Sequence, residues 1–119
     1  MIAREKAVAI IEEYCRCLTE RDRRGWLSLM SDKIIHEDPV GVRTNTGHEM
    51  VGKFWDLFDG YNMRVTLTAP TIVCGNEAIA FMRAEAGPAE NRHVTAPIVD
   101  NFVFDEDGKI LRVRAFYEG

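Results

Sequence analysis

Met63-Arg-Val-Thr-Leu-Thr-Ala69 alternates apolar and polar residues, the period of a strand with one buried face. Further extended runs follow at 77–86, 92–104 and 110–117, separated by turn-forming residues at Gly75-Asn76, in the segment 87–91 and at Asp105-Glu-Asp-Gly108. Upstream the period is different. Ala7, Ile11, Tyr14 and Leu18 recur at steps of four, three and four, with Ile10 and Cys17 beside them and Glu12, Glu13 and Arg16 elsewhere, which predicts an amphipathic helix with Tyr14 on its inward stripe. A break at 19–22 leaves Asp22 as N-cap of a short second helix carrying Trp26, Leu27, Leu29 and Met30. Ile34 and Ile35 suggest a short strand that ends in Glu37-Asp-Pro-Val-Gly41. Pro39 has no ladder donor there and pushes Asp38 towards an extended backbone, so Asp38 is expected at a rim. Thr46-Gly-His-Glu49 fits a capping box opening a third helix, with Met50, Phe54 and Leu57, beside Val51 and Phe58, facing inwards until about Gly60. Helices therefore precede strands. The expected class is α+β: a curved antiparallel sheet with the three helices of the N-terminal half packed on its concave face.

The chain has 119 residues, of which 46% are hydrophobic, and is read as one domain over 1–119 with no linker, repeat or low-complexity segment. A chain of this size buries roughly two-thirds of its unfolded surface and can enclose a pocket without staples. Fifteen basic against nineteen acidic side chains, a net charge of −4, give no positive field for a phosphate backbone, so nucleic acid is not an expected partner. No run approaches the ~20 apolar residues that span a bilayer, and the N-terminus lacks the apolar run of a secretion signal. Cys15, Cys17 and Cys74 are an odd number with no paired cluster, which argues against both disulfides and zinc and for small buried thiols in a reducing, cytoplasmic compartment.

Polar residues at apolar positions carry the functional signal. Tyr14 sits on a buried stripe, Asp38 at a strand end, and Asp100 in Val99-Asp-Asn-Phe-Val-Phe104 shares parity with Phe102 and Phe104. In that phase an ionised Asp100 would meet a desolvation penalty of several kcal/mol, so it should be paired, or protonated and donating. The opposite phase, with Val99, Asn101 and Val103 inwards, would turn it out of the core. A buried phenol, a neutral carboxylic acid and a separate carboxylate in one apolar pocket would supply two donors for a developing oxyanion and one mobile base.

At these residues the chain resembles the Δ5-3-ketosteroid isomerases, within the wider ketosteroid-isomerase-like and SnoaL-like superfamily of cone-shaped α+β domains. The similarity runs nearly end to end, through Glu37-Asp-Pro-Val-Gly41, Gly47-x-Glu49 and Phe54, Asn76-Glu-Ala78, Ala96-Pro-Ile98, Asp100-x-Phe102-x-Phe104, Gly108-Lys109, and Arg114-Ala115 followed by an aromatic. The resemblance implies that Tyr14 is the oxyanion-hole tyrosine, Asp38 the general base and Asp100 the protonated oxyanion-hole aspartate. It implies a cofactor-independent isomerase that moves the 5,6 double bond of a 3-oxo-Δ5-steroid to the 4,5 position through a dienolate, and a homodimer. Two departures stand out. Val99 is one residue more than one branch of the family has before the aspartate. Trp55 stands where many relatives carry a tyrosine, and an indole donates but cannot accept, so the relay beyond Tyr14 is expected to be shorter.

A flat apolar ketone such as a steroid calls for an apolar wall, for which Trp26, Met30, Phe54, Trp55, Phe58, Met82, Phe102 and Phe116 are the candidates. Two other classes remain open on the same fold. One is a non-catalytic small-molecule-binding module. The other is a SnoaL-like cyclase, hydratase or dehydratase acting through His36, which has the parity of Asp38, or His93; His48, in the first turn of the third helix, is expected in solvent.

Overall fold

A computed structural model describes residues 1–88 and 90–118, with side chains for all of these except 94–96. The chain runs α1 (Arg4–Glu20), α2 (Arg23–Ser28), β1 (Met30–Glu37), β2 (Thr44–Thr46), α3 (Gly47–Phe58), a 3₁₀ turn (Asp59–Tyr61), β3 (Arg64–Leu67), β4 (Ile72–Cys74), β5 (Glu77–Ala86), β6 (His93–Phe104) and β7 (Ile110–Phe116). The three long C-terminal strands lie where the alternation predicts them. Residue 89 of the expected turn at 87–91, and the side chain of Ala96 in Ala96-Pro-Ile98, fall outside the described residues.

The fold is α+β, with a curved sheet of mostly antiparallel strands in the order β2-β1-β7-β6-β5-β3, and β4 sharing the β5 edge with β3. One correction concerns strand direction: β1 runs parallel to β7, pairing His36 with Val113 and Glu37 with Arg114. β1 is the strand expected at Ile34 and Ile35, longer than its reading because it starts at Met30. It is laid down before α3, and the chain passes through α3 and five further strands before β7 returns beside it. A connection of that length permits the parallel pairing that a hairpin forbids.

Helix α1 buries Ala7, Ile11 and Tyr14, the expected stripe, together with Cys15 and Cys17. It stops where Arg21 takes a left-handed backbone, φ 61°, and its amide bonds back to the Cys17 carbonyl. Asp22 caps α2 as predicted, accepting from the Gly25 amide at 2.9 Å. Burial pushes the Cys15 thiol up to about 12, which suits an inert packing residue, whereas Cys74 is exposed rather than buried.

Helix α3 departs from its reading in three ways. The inward residues are Val51, Gly52 and Trp55, with Phe54 and Phe58 half-buried, while Met50 and Leu57 are exposed. Positions 50, 54 and 57 have the same spacing as 51, 55 and 58, so periodicity does not choose between the stripes. Packing chooses: Trp55 lies 5.1 Å from Trp26, and Gly52 lets α2 approach so closely that an added Cβ would meet the Arg23 guanidinium at 2.6 Å. The capping box is absent. Thr46 is the last residue of β2, paired with Ile35, and Gly47 at φ +79° turns the chain into the helix, leaving the Thr46 hydroxyl facing Met50 Sδ at 3.5 Å. His48 is half-buried rather than solvated, its Nε2 3.0 Å from the Met30 carbonyl oxygen.

The core lies between the helices and one face of the sheet. Ala78, Ala80, Met82 and Ala84 face it from β5, Phe102 and Phe104 from β6, and Ile110, Val113 and Ala115 from β7. Asp100 is buried on that same face, so the first of the two phases holds for β6.

Candidate active site

Asp100 is held between two alanines, Ala80 on β5 and Ala115 on β7, which shield the carboxyl without offering it a side-chain partner. Its Oδ1 has no hydrogen-bond partner. Burial, and next the Asp38 carboxylate, hold its pKa well above the usual carboxylate range, favouring the protonated form. Tyr14 approaches from α1, its ring edge-on to Phe102 at 5.1 Å and 5.8 Å from Trp26. Burial keeps its phenol protonated, and the Asp38 carboxylate adds to that shift.

Asp38 is placed by backbone bonds. Its amide bonds to the Arg43 carbonyl oxygen at 2.9 Å, and two residues on, the Val40 amide bonds to Ala115, the cross-strand neighbour of Asp100, also at 2.9 Å. The turn that follows β1 is thereby fastened beside the strand that carries the buried acid. The Asp38 side chain keeps 18% exposure against none at His36, consistent with a carboxylate at a rim. The Tyr117 hydroxyl donates to Asp38 Oδ1.

All three predicted polar residues line one cavity of about 260 Å³ between α1, α3 and the sheet, close to the lower end of the ligand-pocket range of about 300–1,000 Å³. Of the predicted apolar wall, Trp26, Phe54, Trp55, Phe58 and Met82 line it, together with unpredicted residues such as Leu18, Met63 and Ala84. Met30, Phe102 and Phe116 do not. Met30 is sealed at the start of β1, and Phe102 packs beneath Tyr14 as a support. Phe116 points to the other face of the sheet, 42% exposed with the Arg114 guanidinium over its ring at 5.2 Å. The aromatic that reaches the cavity from this end of the chain is Tyr117. The parity of Val113 and Ala115 was the signal that could have identified it, since inward alternation on β7 continues to 117 and not to 116.

His36 is fully buried and is not among the cavity-lining residues; His93, at the start of β6, is exposed. Among the described residues no group of three His, Cys, Asp or Glu side chains is arranged to hold a metal ion, and no helix is long and apolar enough to cross a membrane.

Comparisons with known proteins bear on the family and the fold. The family model of the SnoaL-like domain matches residues 11–113. The steroid Delta-isomerase of Nocardioides simplex is 33% identical over 81 residues, covering 68% of this chain and 64% of that protein. The Delta 5-3-ketosteroid isomerase of a Mycobacterium species superimposes with a TM-score of 0.83 at 26% identity, covering 95% of this chain and 93% of that one. A computationally designed 17-OHP binder superimposes with a TM-score of 0.82, also at 26% identity, covering 95% and 91% of the two chains.

Proposed function

The chain belongs to the SnoaL-like domain family, and on that premise we propose that it is a cofactor-independent steroid delta-isomerase, moving the 5,6 double bond of a 3-oxo-Δ5-steroid to the 4,5 position. The observation that carries the reading is the convergence, in one apolar cavity, of a rim carboxylate with Tyr14 and Asp100, two buried groups whose raised pKa values favour the protonated, donating form. The resemblance at Glu37-Asp-Pro-Val-Gly41 and the two isomerase relatives support it.

In this mechanism Asp38 removes the proton from the carbon between the ketone and the double bond. The C–H electron pair moves into the ring system and the ketone oxygen becomes a dienolate oxyanion. Tyr14 and Asp100 donate hydrogen bonds to that oxygen, each in a dry site where such a bond is worth about 3 kcal/mol in the transition state. Asp38 then returns the same proton to the far carbon of the conjugated system and is regenerated as a carboxylate. The positioned base contributes about 10²- to 10⁴-fold.

The experiment is conversion of a 3-oxo-Δ5-steroid by the purified chain, followed as the ultraviolet absorbance of the conjugated ketone. Asp38→Asn should lose at least about 10²-fold in kcat while still binding a phenolic steroid, whose ring oxygen mimics the dienolate. Wild-type turnover in Asp38→Asn would remove the mechanism. The likeness to a designed binder favours one second reading, a steroid-binding module. Tight binding of the phenolic steroid with no turnover by the wild-type chain would select it.

A further inference from the structure

Beneath the rim carboxylate lie two buried polar side chains that the reaction does not use, His36 on β1 and Asn45 on β2, 0% and 1% exposed. The edges and faces of Phe54 and Trp26 enclose the imidazole at 4.8 and 5.8 Å between ring centres. Their hydrogen bonds form a chain whose direction is fixed at its outer end. Arg43 Nε lies 3.2 Å from Asn45 Oδ1. A guanidinium has no acceptor, so the amide oxygen must face it, and the Asn45 Nδ2 hydrogens therefore face His36 Nδ1 at 3.3 Å. A donor pointing at Nδ1 requires that nitrogen to accept. The neutral ring then carries its proton on Nε2, which makes no hydrogen bond and lies 3.4 Å from Asp38 Oδ2. That separation falls just short of a hydrogen bond, and small closures of this kind accompany ligand binding in catalytic sites.

We propose that His36 is the positioning residue of the base: Arg43 and Asn45 hold it as the Nε2–H tautomer, and it restrains Asp38 Oδ2 from behind the cavity while Tyr117 restrains Oδ1. This rests on the reading of Asp38 as the base. A carboxylate that shuttles one proton between two carbons must present the same oxygen face at both steps. Donors on both oxygens hold its torsion without occupying the side turned to the ligand. His36 contacts no substrate and acts only through Asp38.

Two measurements decide it. In the ligand-free protein labelled with ¹⁵N-histidine, His36 should show a proton on Nε2 and a bare Nδ1. In kinetics, His36→Met should lower kcat about tenfold, about 1.4 kcal/mol in the barrier, with KM and phenolic-steroid affinity nearly unchanged. His36→Gln, whose amide can place a donor where Nε2–H was, should recover most of the loss. A merely structural histidine would give no such recovery, and its loss would appear in the melting temperature of both variants alike. An Nδ1–H tautomer, or equal kcat in the Met and Gln variants, overturns the proposal. Absence of turnover in the wild-type chain is a different result, and removes the isomerase reading itself.

Discussion

Asp100 shows what a single side chain costs the fold and supplies to the site. Because its folded pKa is raised above the ordinary 3.8, chiefly by burial, the folded chain keeps a proton over a pH range in which the unfolded chain releases it. Its contribution to stability is complete below about pH 3.8 and declines as pH rises towards the folded value, by up to about 1.4 kcal/mol per pH unit. Asp100→Asn removes the ionisation. Urea titrations of the two proteins should show the variant gaining on wild type as pH rises above about 4, until the folded protein releases the proton. A constant difference from about pH 4 upwards would mean that the folded protein also releases this proton there. Tyr14, Asp38 and Asp100 were legible in the sequence because each breaks a pattern: a phenol on a helical stripe, a carboxylate before proline at a strand end, a carboxylate in phase with two phenylalanines. Tyr117 and His36 were harder to assign for opposite reasons. Tyr117 lies just past the end of β7, where the neighbouring Phe116 is the more apolar choice, and only the inward parity of Val113 and Ala115 separates the two. His36 does have the right parity, but its role depends on Asn45, which comes from a three-residue strand too short to carry an alternation signal.

At the scale of elements, the base depends on the parallel pair of β1 and β7. Glu37, adjacent to Asp38 but on the opposite face of β1, bonds to Arg112 at 3.1 Å through Nε and reaches Arg114 at 3.5 Å, both on β7. These contacts tie the end of β1 to the strand that also receives the Val40 amide. The hydrogen bonds and charge of Arg112, with Arg114 adding to them, hold the Glu37 carboxyl below its usual 4.5. A lowered pKa contributes stability above about pH 4.5 that is lost as pH falls through the folded value. Glu37→Gln should therefore cost about 1 kcal/mol at pH 7, after allowing for the partly exposed arginines, and progressively less on acidification below pH 4.5. Denaturation midpoints at pH 7 and pH 3 test this, and an equal loss at both would assign the effect to packing. Neither the parallel pairing nor the α3 stripe was legible, because both are tertiary choices between locally equivalent arrangements. Strand period carries no direction, and two helical stripes one residue apart satisfy the same spacing. The long strands were legible because alternation there extends over seven residues or more, as in β5, β6 and β7.

For the whole molecule, the cavity is maintained by what the sheet leaves out. Facing the aromatic side chains of α2 and α3, β5 presents Ala84 and Ala86 and β7 presents Ala115, small residues where strands of this class commonly carry Val or Ile. A void of about 260 Å³ forgoes packing that a closed core would have, so the ligand-free fold is less stable than its own framework allows, and a ligand that fits should return part of that stability. A phenolic steroid at one hundred times its Kd should stabilise the wild-type chain by about 2.7 kcal/mol, read as a rise in melting temperature. Ala84 is fully buried on the inward face of β5 and paired with Val65 on β3, so a larger side chain there grows into the hollow. Ala84→Leu should leave the ligand-free melting temperature level or raise it, while abolishing most of the ligand-induced rise and the turnover together. A steroid that stabilises Ala84→Leu as much as wild type would mean that it binds elsewhere, because Ala84, Trp55 and Asp100 line the same hollow of about 260 Å³ and added side-chain volume at 84 is taken from it.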